Sequence, residues 1–181
     1  MIVGAHDFGL GNTNAQFKVY IGNRPNIEQY QGLADVRELR AGDIANIGHL
    51  CGNGWRKVFN VYAKLVFALN QASFVSLHEA KSWQEFRDNS LLQSGSNTSL
   101  LFSTPSICED ALDYSTVIHL VMGKTYAKTL PLASSLTWLD DEFAINKKAN
   151  LLVCPYFDYR QLSNIKIIRL VELIKPLLSD H

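Results

Sequence analysis

Short apolar runs alternate along this chain with longer segments whose apolar side chains recur at helical spacing. Four of the runs are dense in β-branched, aromatic or leucine residues and end at or next to a glycine, a serine or a proline. Such runs are typical of buried strands. We therefore predict strands at residues 17–22, 100–103, 116–122 and 151–154.

The clearest helix signal begins at Asn53, whose side chain is predicted to cap the free N–H groups of a first helical turn. From Trp55 to Leu69, apolar side chains recur every three or four positions, and charged or amide side chains occupy the opposite face. This apolar face is expected to belong to the core.

Other segments carry shorter signals. Ser82 and Glu85 have the spacing of a capping box, in which each side chain satisfies a backbone donor, and they predict a helix from about Trp83 to Leu92. The remaining expectations are a weak helix at 27–39, an extended piece at 73–77, a helix start at 104–109 and helices at 124–128 and about 165–178.

Strands separated by helices predict a parallel sheet, because parallel neighbours need a crossover connection. We expect residues 1–181 to form one α/β domain, a three-layer α/β/α sandwich around a mostly parallel four-stranded sheet. Several glycines and asparagines fall within residues 1–16. Such a composition is typical of a loop or an N-terminal arm.

The composition is that of an ordinary globular protein, with 47% hydrophobic and 19% charged residues. The 17 Lys and Arg balance the 17 Asp and Glu, whereas a dedicated nucleic-acid binder usually has a basic excess.

The first residues lack the features of a signal peptide. Asn60 and Lys64 interrupt the longest apolar stretch, which is shorter than the roughly 20 residues needed to span a bilayer. No membrane association is expected.

Cys51, Cys108 and Cys154 are far apart and odd in number, which predicts reduced thiols and a cytoplasmic location. His49 stands near Cys51, but two ligands do not make a zinc site. The acidic run 140–142 favours a solvated turn over a cation site. We expect neither a metal nor a cofactor.

The run Gly123-Lys124-Thr125 is similar to the end of a phosphate-binding loop, but Ile118 stands where the full motif has glycine. An ordinary strand-to-helix turn is therefore expected, which argues against a nucleotide-dependent hydrolase. His119 lies within an apolar strand and is expected to be a hydrogen-bonded core residue.

Polar and aromatic residues follow the first and the last predicted strands. Because parallel strands end at the same edge of a sheet, the two loops are expected to approach each other where α/β proteins bind ligands. Aromatic rings stack on bases, and asparagine amides read base edges. In the alternative interpretation, the loops form a polar rim in which Asp158 and Arg160 simply pair. The residues concerned are Asn23, Arg24 and Asn26 in the first loop and Tyr156, Asp158, Tyr159 and Arg160 in the second.

Residues 21–26 read Ile-Gly-Asn-Arg-Pro-Asn, and residues 154–160 read Cys-Pro-Tyr-Phe-Asp-Tyr-Arg. With these two loops, the layout of residues 17–178 resembles the uracil-DNA glycosylase superfamily. That family has four parallel strands in an α/β/α sandwich. A Gly-x-x-Pro-type loop after its first strand bears a water-activating Asp or Asn. A His-Pro-Ser-type loop after its last strand supports the charge of the leaving base and enters the minor groove.

The resemblance implies a pocket for a nucleobase or single-stranded DNA between the two loops. The chain departs from the family pattern at three positions, because Tyr156 replaces the His, Asp158 replaces the Ser, and Arg24 precedes the proline where one variant has Asn. In this interpretation Asp158 or Asn23 positions water, Tyr156 stabilises the base anion, and Arg24 and Arg160 hold phosphates. The residues so assigned are Asn23, Tyr156 and Asp158 for catalysis and Arg24, Pro25, Asn26, Pro155, Tyr159 and Arg160 for substrate binding.

A second interpretation belongs to a different functional class. The same fold can serve a non-catalytic binding or interaction protein with a protein partner. The missing catalytic pair and the zero net charge favour this alternative. The sequence therefore predicts a binding site at the strand ends and leaves catalysis open.

Overall fold

The computed structural model describes residues 6–71, 79–106 and 117–179. The extended piece expected at 73–77, the second half of the helix start expected at 104–109, and Cys108 lie outside these ranges. The strands are β1 (Gly9–Gly11), β2 (Phe17–Tyr20), β3 (Val36–Arg37), β4 (Thr98–Leu101), β5 (Ile118–Met122), β6 (Thr137–Trp138), β7 (Ala144–Asn146) and β8 (Leu151–Cys154). The helices are α1 (Glu28–Gln31), α2 (Asp43–Cys51), α3 (Asn53–Gln71), α4 (Trp83–Asn89), α5 (Lys124–Thr129) and α6 (Asn164–Ser179), with 3₁₀ helices at Pro131–Ser135 and Lys147–Ala149.

The strands form one mixed sheet of eight strands in the order β3-β1-β4-β2-β5-β8-β7-β6. The fold is therefore α/β, as predicted, but the expected sheet of four strands was too small. The four predicted strands are the central ones, β4, β2, β5 and β8, and they are parallel. The added strands have two or three residues each, which is too short to produce an alternating pattern in the sequence.

The described part of the predicted N-terminal arm belongs to the sheet. Residues 9–11 form β1, which pairs antiparallel with β4 and parallel with β3. A Cβ at Gly9 would lie 2.3 Å from the carbonyl oxygen of Leu100, and one at Gly11 would lie 2.3 Å from that of Thr98. Both residues also have positive φ, +155° and +109°. The glycines that suggested a loop are therefore what lets this strand approach its neighbour.

Helix α3 confirms the long periodic pattern, but its start differs from the prediction. The amide oxygen of Asn53 accepts a hydrogen bond from the Arg56 guanidinium at 3.0 Å. The unpredicted helix α2 ends immediately before Gly52, whose φ of +88° separates it from α3. In α4, Ser82 Oγ accepts from the backbone N–H of Glu85, as predicted. The Glu85 carboxylate accepts from the N–H of Lys81.

The weak helix predicted at 27–39 is mostly absent. Only Glu28–Gln31 is helical, and the segment then enters the two-residue strand β3 at the edge of the sheet. The helices predicted at 124–128 and about 165–178 are confirmed as α5 and α6.

Alternate residues of the central strands face two different hydrophobic clusters. In β2, Val19 lies in a large cluster with side chains of α3 and α6, whereas Tyr20 lies in a smaller cluster with Ala127 and Leu130. Burial on both faces explains why these strands are continuous apolar runs. No helix within the described ranges is both long and apolar enough to cross a bilayer.

Candidate functional site

An open cleft of about 570 Å³ lies where β2, β5 and β8 end. Because these strands are parallel, their three exit segments reach the same edge of the sheet. This is the edge at which open α/β sheets place their ligands. The lining comprises residues 22–23, 122–126 and 155–156 together with Thr129, Glu142 and Gln161.

The first and last of these segments touch each other. Tyr156 Oη donates a hydrogen bond to Asn23 Oδ1 at 3.3 Å, although the residues are 133 positions apart. The predicted approach of the two loops is therefore confirmed for this pair. The amide nitrogen of Asn23 makes no hydrogen bond within the described part of the chain and keeps two donors for a ligand.

Two tyrosines of the cleft lie against glycines. A Cβ at Gly22 would lie 3.0 Å from Cδ2 of Tyr126, and a Cβ at Gly123 would lie 4.0 Å from Tyr156. Burial raises the pKa of Tyr126. Burial also raises the pKa of Tyr156, although its hydrogen bond to Asn23 acts in the opposite direction. Both hydroxyls therefore stay protonated at neutral pH.

Asp158 does not line the cleft. One of its oxygens accepts from the backbone N–H of Arg160 at 2.9 Å. The other accepts from Arg160 Nη2 at 2.8 Å and Lys57 Nζ at 3.1 Å. The Arg160 guanidinium, foremost among these donors, holds the pKa of Asp158 well below its usual range. The Asp158 side chain is 10% exposed, and through Lys57 it fixes the loop to the N-terminal part of α3. This is the pairing that the alternative interpretation anticipated.

Arg24 also points elsewhere. Its Nη1 donates to the carbonyl oxygen of Gln31 at 2.6 Å, and its guanidinium carbon lies 4.7 Å from the centre of the Phe8 ring. Pro25 is buried and Asn26 is exposed, and neither lines the cleft. The first loop therefore contributes Asn23 alone among its predicted site residues.

The rest of the second loop is divided. Pro155 lines the cleft beside Tyr156. Tyr159 lies outside it, is 57% exposed, and has its ring centre 5.2 Å from Lys57 Nζ. The Arg160 side chain is 67% exposed but remains paired with Asp158. Of the predicted set, the structure thus brings Asn23, Pro155 and Tyr156 together in the cleft.

The middle segment of the cleft was interpreted from the sequence as an ordinary strand-to-helix turn, without a role in the site. Lys124, Thr125 and Tyr126 follow β5 and line the cleft, although this turn matched no complete phosphate motif. Lys124 is exposed and makes no ion pair within the described ranges. Its position follows from the topology, because a parallel strand between β2 and β8 must end at the same edge.

Residues 6–71, 79–106 and 117–179 contain no cluster of three His, Cys, Asp or Glu side chains suited to a metal ion. Within the acidic run, Asp140 accepts from the N–H groups of Glu142 and Phe143 and pairs with Arg169. These bonds, led by the N–H of Glu142, lower the pKa of Asp140. It therefore acts as a turn cap.

His119 is hydrogen-bonded, as predicted, with Nδ1 2.8 Å from Tyr20 Oη. Burial, assisted by nearby Lys18, lowers the pKa of His119 to about 4. The imidazole is therefore neutral at neutral pH. It does not line the cleft.

Comparison with curated proteins and with solved structures finds no match for this chain. The model of one protein family matches residues 8–175, a range that includes every strand of the sheet and every residue of the cleft. The chain therefore belongs to that family, which is described as a family of unknown function, DUF6942.

Proposed function

We propose that the cleft binds a nucleobase, with Tyr126 and Tyr156 supplying aromatic surface and Asn23 supplying the hydrogen bonds. The observation that carries this proposal is the joint presence of two partly buried tyrosines and an amide with free donors in one cleft. Its volume of about 570 Å³ falls within the range of roughly 300–1,000 Å³ that is usual for small-molecule sites.

The chemistry of the lining supports a flat, polar-edged ligand. Aromatic side chains stack on the π-face of any base, and asparagine can donate to and accept from a base edge. Gly22 and Gly123 add no side chains that would fill the space beside the rings. A purely apolar ligand would leave the donors of Asn23 unpaired, at a cost in affinity.

Binding is better supported than base excision. The carboxylate that the resemblance would assign to water activation, Asp158, is occupied by Arg160 and Lys57 and lies outside the cleft. Glu142, the carboxylate that does line the cleft, pairs with Lys166 at 2.7 Å. Both carboxylates are therefore engaged by cations, and neither is available as a general base for the proposed ligand.

One contact keeps base excision as a second candidate. Asn23 and Tyr156, which the resemblance assigns to water positioning and to the leaving base, are hydrogen-bonded to each other. In this reaction water would attack the sugar carbon as the bond to the base breaks, the tyrosine hydroxyl would stabilise the departing base anion, and the proton lost by the water would pass to solvent. Abasic-site formation on a uracil-containing single strand tests it, with Tyr156→Phe and Asn23→Ala as the diagnostic variants.

The binding proposal is tested by calorimetric titration with a panel of nucleosides. Replacing Tyr126 with Ala should weaken binding by about 5- to 150-fold, since one base–aromatic stack contributes roughly 1–3 kcal/mol. Tyr159→Ala is the matched control, because Tyr159 is an exposed tyrosine outside the cleft. Absence of binding at millimolar nucleoside, or equal losses in the two variants, would refute the proposal and favour a protein partner.

We also infer the finer fold type and the cellular location. A three-layer α/β/α arrangement is supported by α3 and α6 in the large cluster and α5 in the small one. A cytoplasmic location is supported by the free thiols of Cys51 and Cys154, since such thiols are usual in reducing compartments.

A further inference from the structure

The cations around the cleft are unequally available to a ligand. Arg24 donates to the Gln31 carbonyl and lies over Phe8, and Arg160 is held by Asp158. Neither lines the cleft. Lys124 lines it, is exposed and has no acidic partner within the described part of the chain.

The charges inside the cleft leave a local positive excess. Glu142 is neutralised by Lys166, with Nζ and Oε1 2.7 Å apart. Lys124 is then the uncompensated charge among the lining residues, and the hydroxyl of Thr125 is beside it in the chain. An ammonium and a hydroxyl next to aromatic walls suit a ligand that combines a planar ring with one anionic group.

We propose that the ligand is a nucleoside monophosphate, whose base occupies the tyrosine-lined part of the cleft and whose phosphate pairs with Lys124. This inference rests on the proposed nucleobase site and specifies the class of molecule that fills it. It replaces the phosphate contacts that the sequence suggested for Arg24 and Arg160.

The same distribution of charge argues against a polynucleotide. A protein that binds single-stranded DNA without sequence preference uses a basic groove that follows several phosphates. Among the described residues, the lining supplies one free cation, and the two arginines expected to extend the track are engaged with other groups of the protein. A single nucleotide should therefore bind as tightly as a longer single strand.

The test compares the dissociation constants of four nucleosides, their 5′-monophosphates and a ten-nucleotide single strand. A monophosphate should bind about tenfold tighter than its nucleoside, as expected for a hydrogen-bonded ion pair at a partly exposed site. In Lys124→Met this ratio should fall towards one. Lys128→Met, in the same helix but engaged with the Trp138 ring at 5.4 Å, should keep the wild-type ratio.

The outcomes distinguish a failure of the phosphate assignment from a failure of the nucleobase site. If nucleosides bind but their monophosphates bind no tighter, or if Lys124→Met keeps the full ratio, the phosphate assignment is wrong while the nucleobase site stands. If the oligonucleotide binds far more tightly and its affinity falls steeply with salt, the ligand is single-stranded DNA. If neither nucleosides nor nucleotides bind, both proposals fail together.

Discussion

Replacing Asp158 with Asn separates a structural role for this carboxylate from a catalytic one. The side chain is nearly buried, at 10% exposure, and it accepts hydrogen bonds from Arg160 and from Lys57, 101 residues earlier in the chain. These contacts fix the loop after β8 onto the N-terminal part of α3, where Lys57 lies. Asparagine preserves the size of the side chain but removes its charge and one acceptor.

The expected cost is about 2 kcal/mol of unfolding free energy. A hydrogen bond to a charged group contributes roughly 1.5–3 kcal/mol, and the contact with Lys57, whose side chain is 21% exposed, lies near the lower end of that range. The Arg160 guanidinium is 67% exposed, so solvent screens its ion pair with Asp158 and the contact with Lys57 dominates the cost. For a domain of this size, 2 kcal/mol corresponds to a fall in Tm of about 4–8 °C.

Thermal or urea unfolding at several pH values gives a second signature. Because the folded-state pKa of Asp158 lies below its usual value, its stabilisation is present above about pH 3.9, the pKa of an unfolded aspartate. The stabilisation is lost as pH falls further towards the folded-state pKa. The difference between wild type and Asp158→Asn should therefore shrink between about pH 4 and pH 2.

Asp141→Asn is the control, since Asp141 is exposed and has no hydrogen bond or ion pair among the described residues. Its stability should match wild type within about 0.5 kcal/mol. An Asp158→Asn protein as stable as wild type that nevertheless loses ligand binding or base excision would refute the structural reading. Asp158 would then act in the site, as the glycosylase resemblance implied.

Three further changes test separate parts of the structure. Ser82→Ala should cost about 1 kcal/mol in urea unfolding, because Ser82 Oγ caps the N–H of Glu85; an unchanged midpoint would contradict the cap. His119→Gln should remove a fall in stability of up to about 3 kcal/mol between pH 6.5 and pH 4, where the unfolded chain takes up a proton that folded His119, with its pKa of about 4, does not. The same fall in the variant would assign it to other groups. Gly22→Ala should weaken nucleoside binding about tenfold, because the added Cβ lies 3.0 Å from the Tyr126 ring and displaces it; unchanged affinity would remove that ring from the site.

The centre of the sheet was predictable from the sequence and its edges were not. Central strands such as β8 are buried on both faces, so burial alone produces a run like Leu151–Cys154. The short strands on either side of this centre depend on local geometry instead. Gly9 and Gly11 pair closely with β4 because they lack side chains, and the same lack of side chains makes β1 look like a loop in the sequence.

The candidate site was predictable to the level of loops but not of side chains. Parallel topology is enough to bring the loops after β2 and β8 together, and Asn23 does reach Tyr156. The direction of the neighbouring Arg24 depends on Phe8 and on the Gln31 carbonyl, and no local pattern in the sequence identifies these partners. For Asp158 the local partner, Arg160, was among the alternatives that the sequence offered, but the contact with Lys57, 101 residues earlier, was not.

The order of the strands explains why the turn after β5 belongs to the site. Strand β5 lies between β2 and β8, so its exit lies between the exits that carry Asn23 and Tyr156. A ligand that contacts both of these residues must therefore pass over the turn that begins at Gly123, where φ is +94°. A larger residue there would be strained and would project beside Tyr156. The cleft and the place of Lys124 in its lining thus follow from the order of the strands, and any ligand assigned to this edge must be compatible with that lysine.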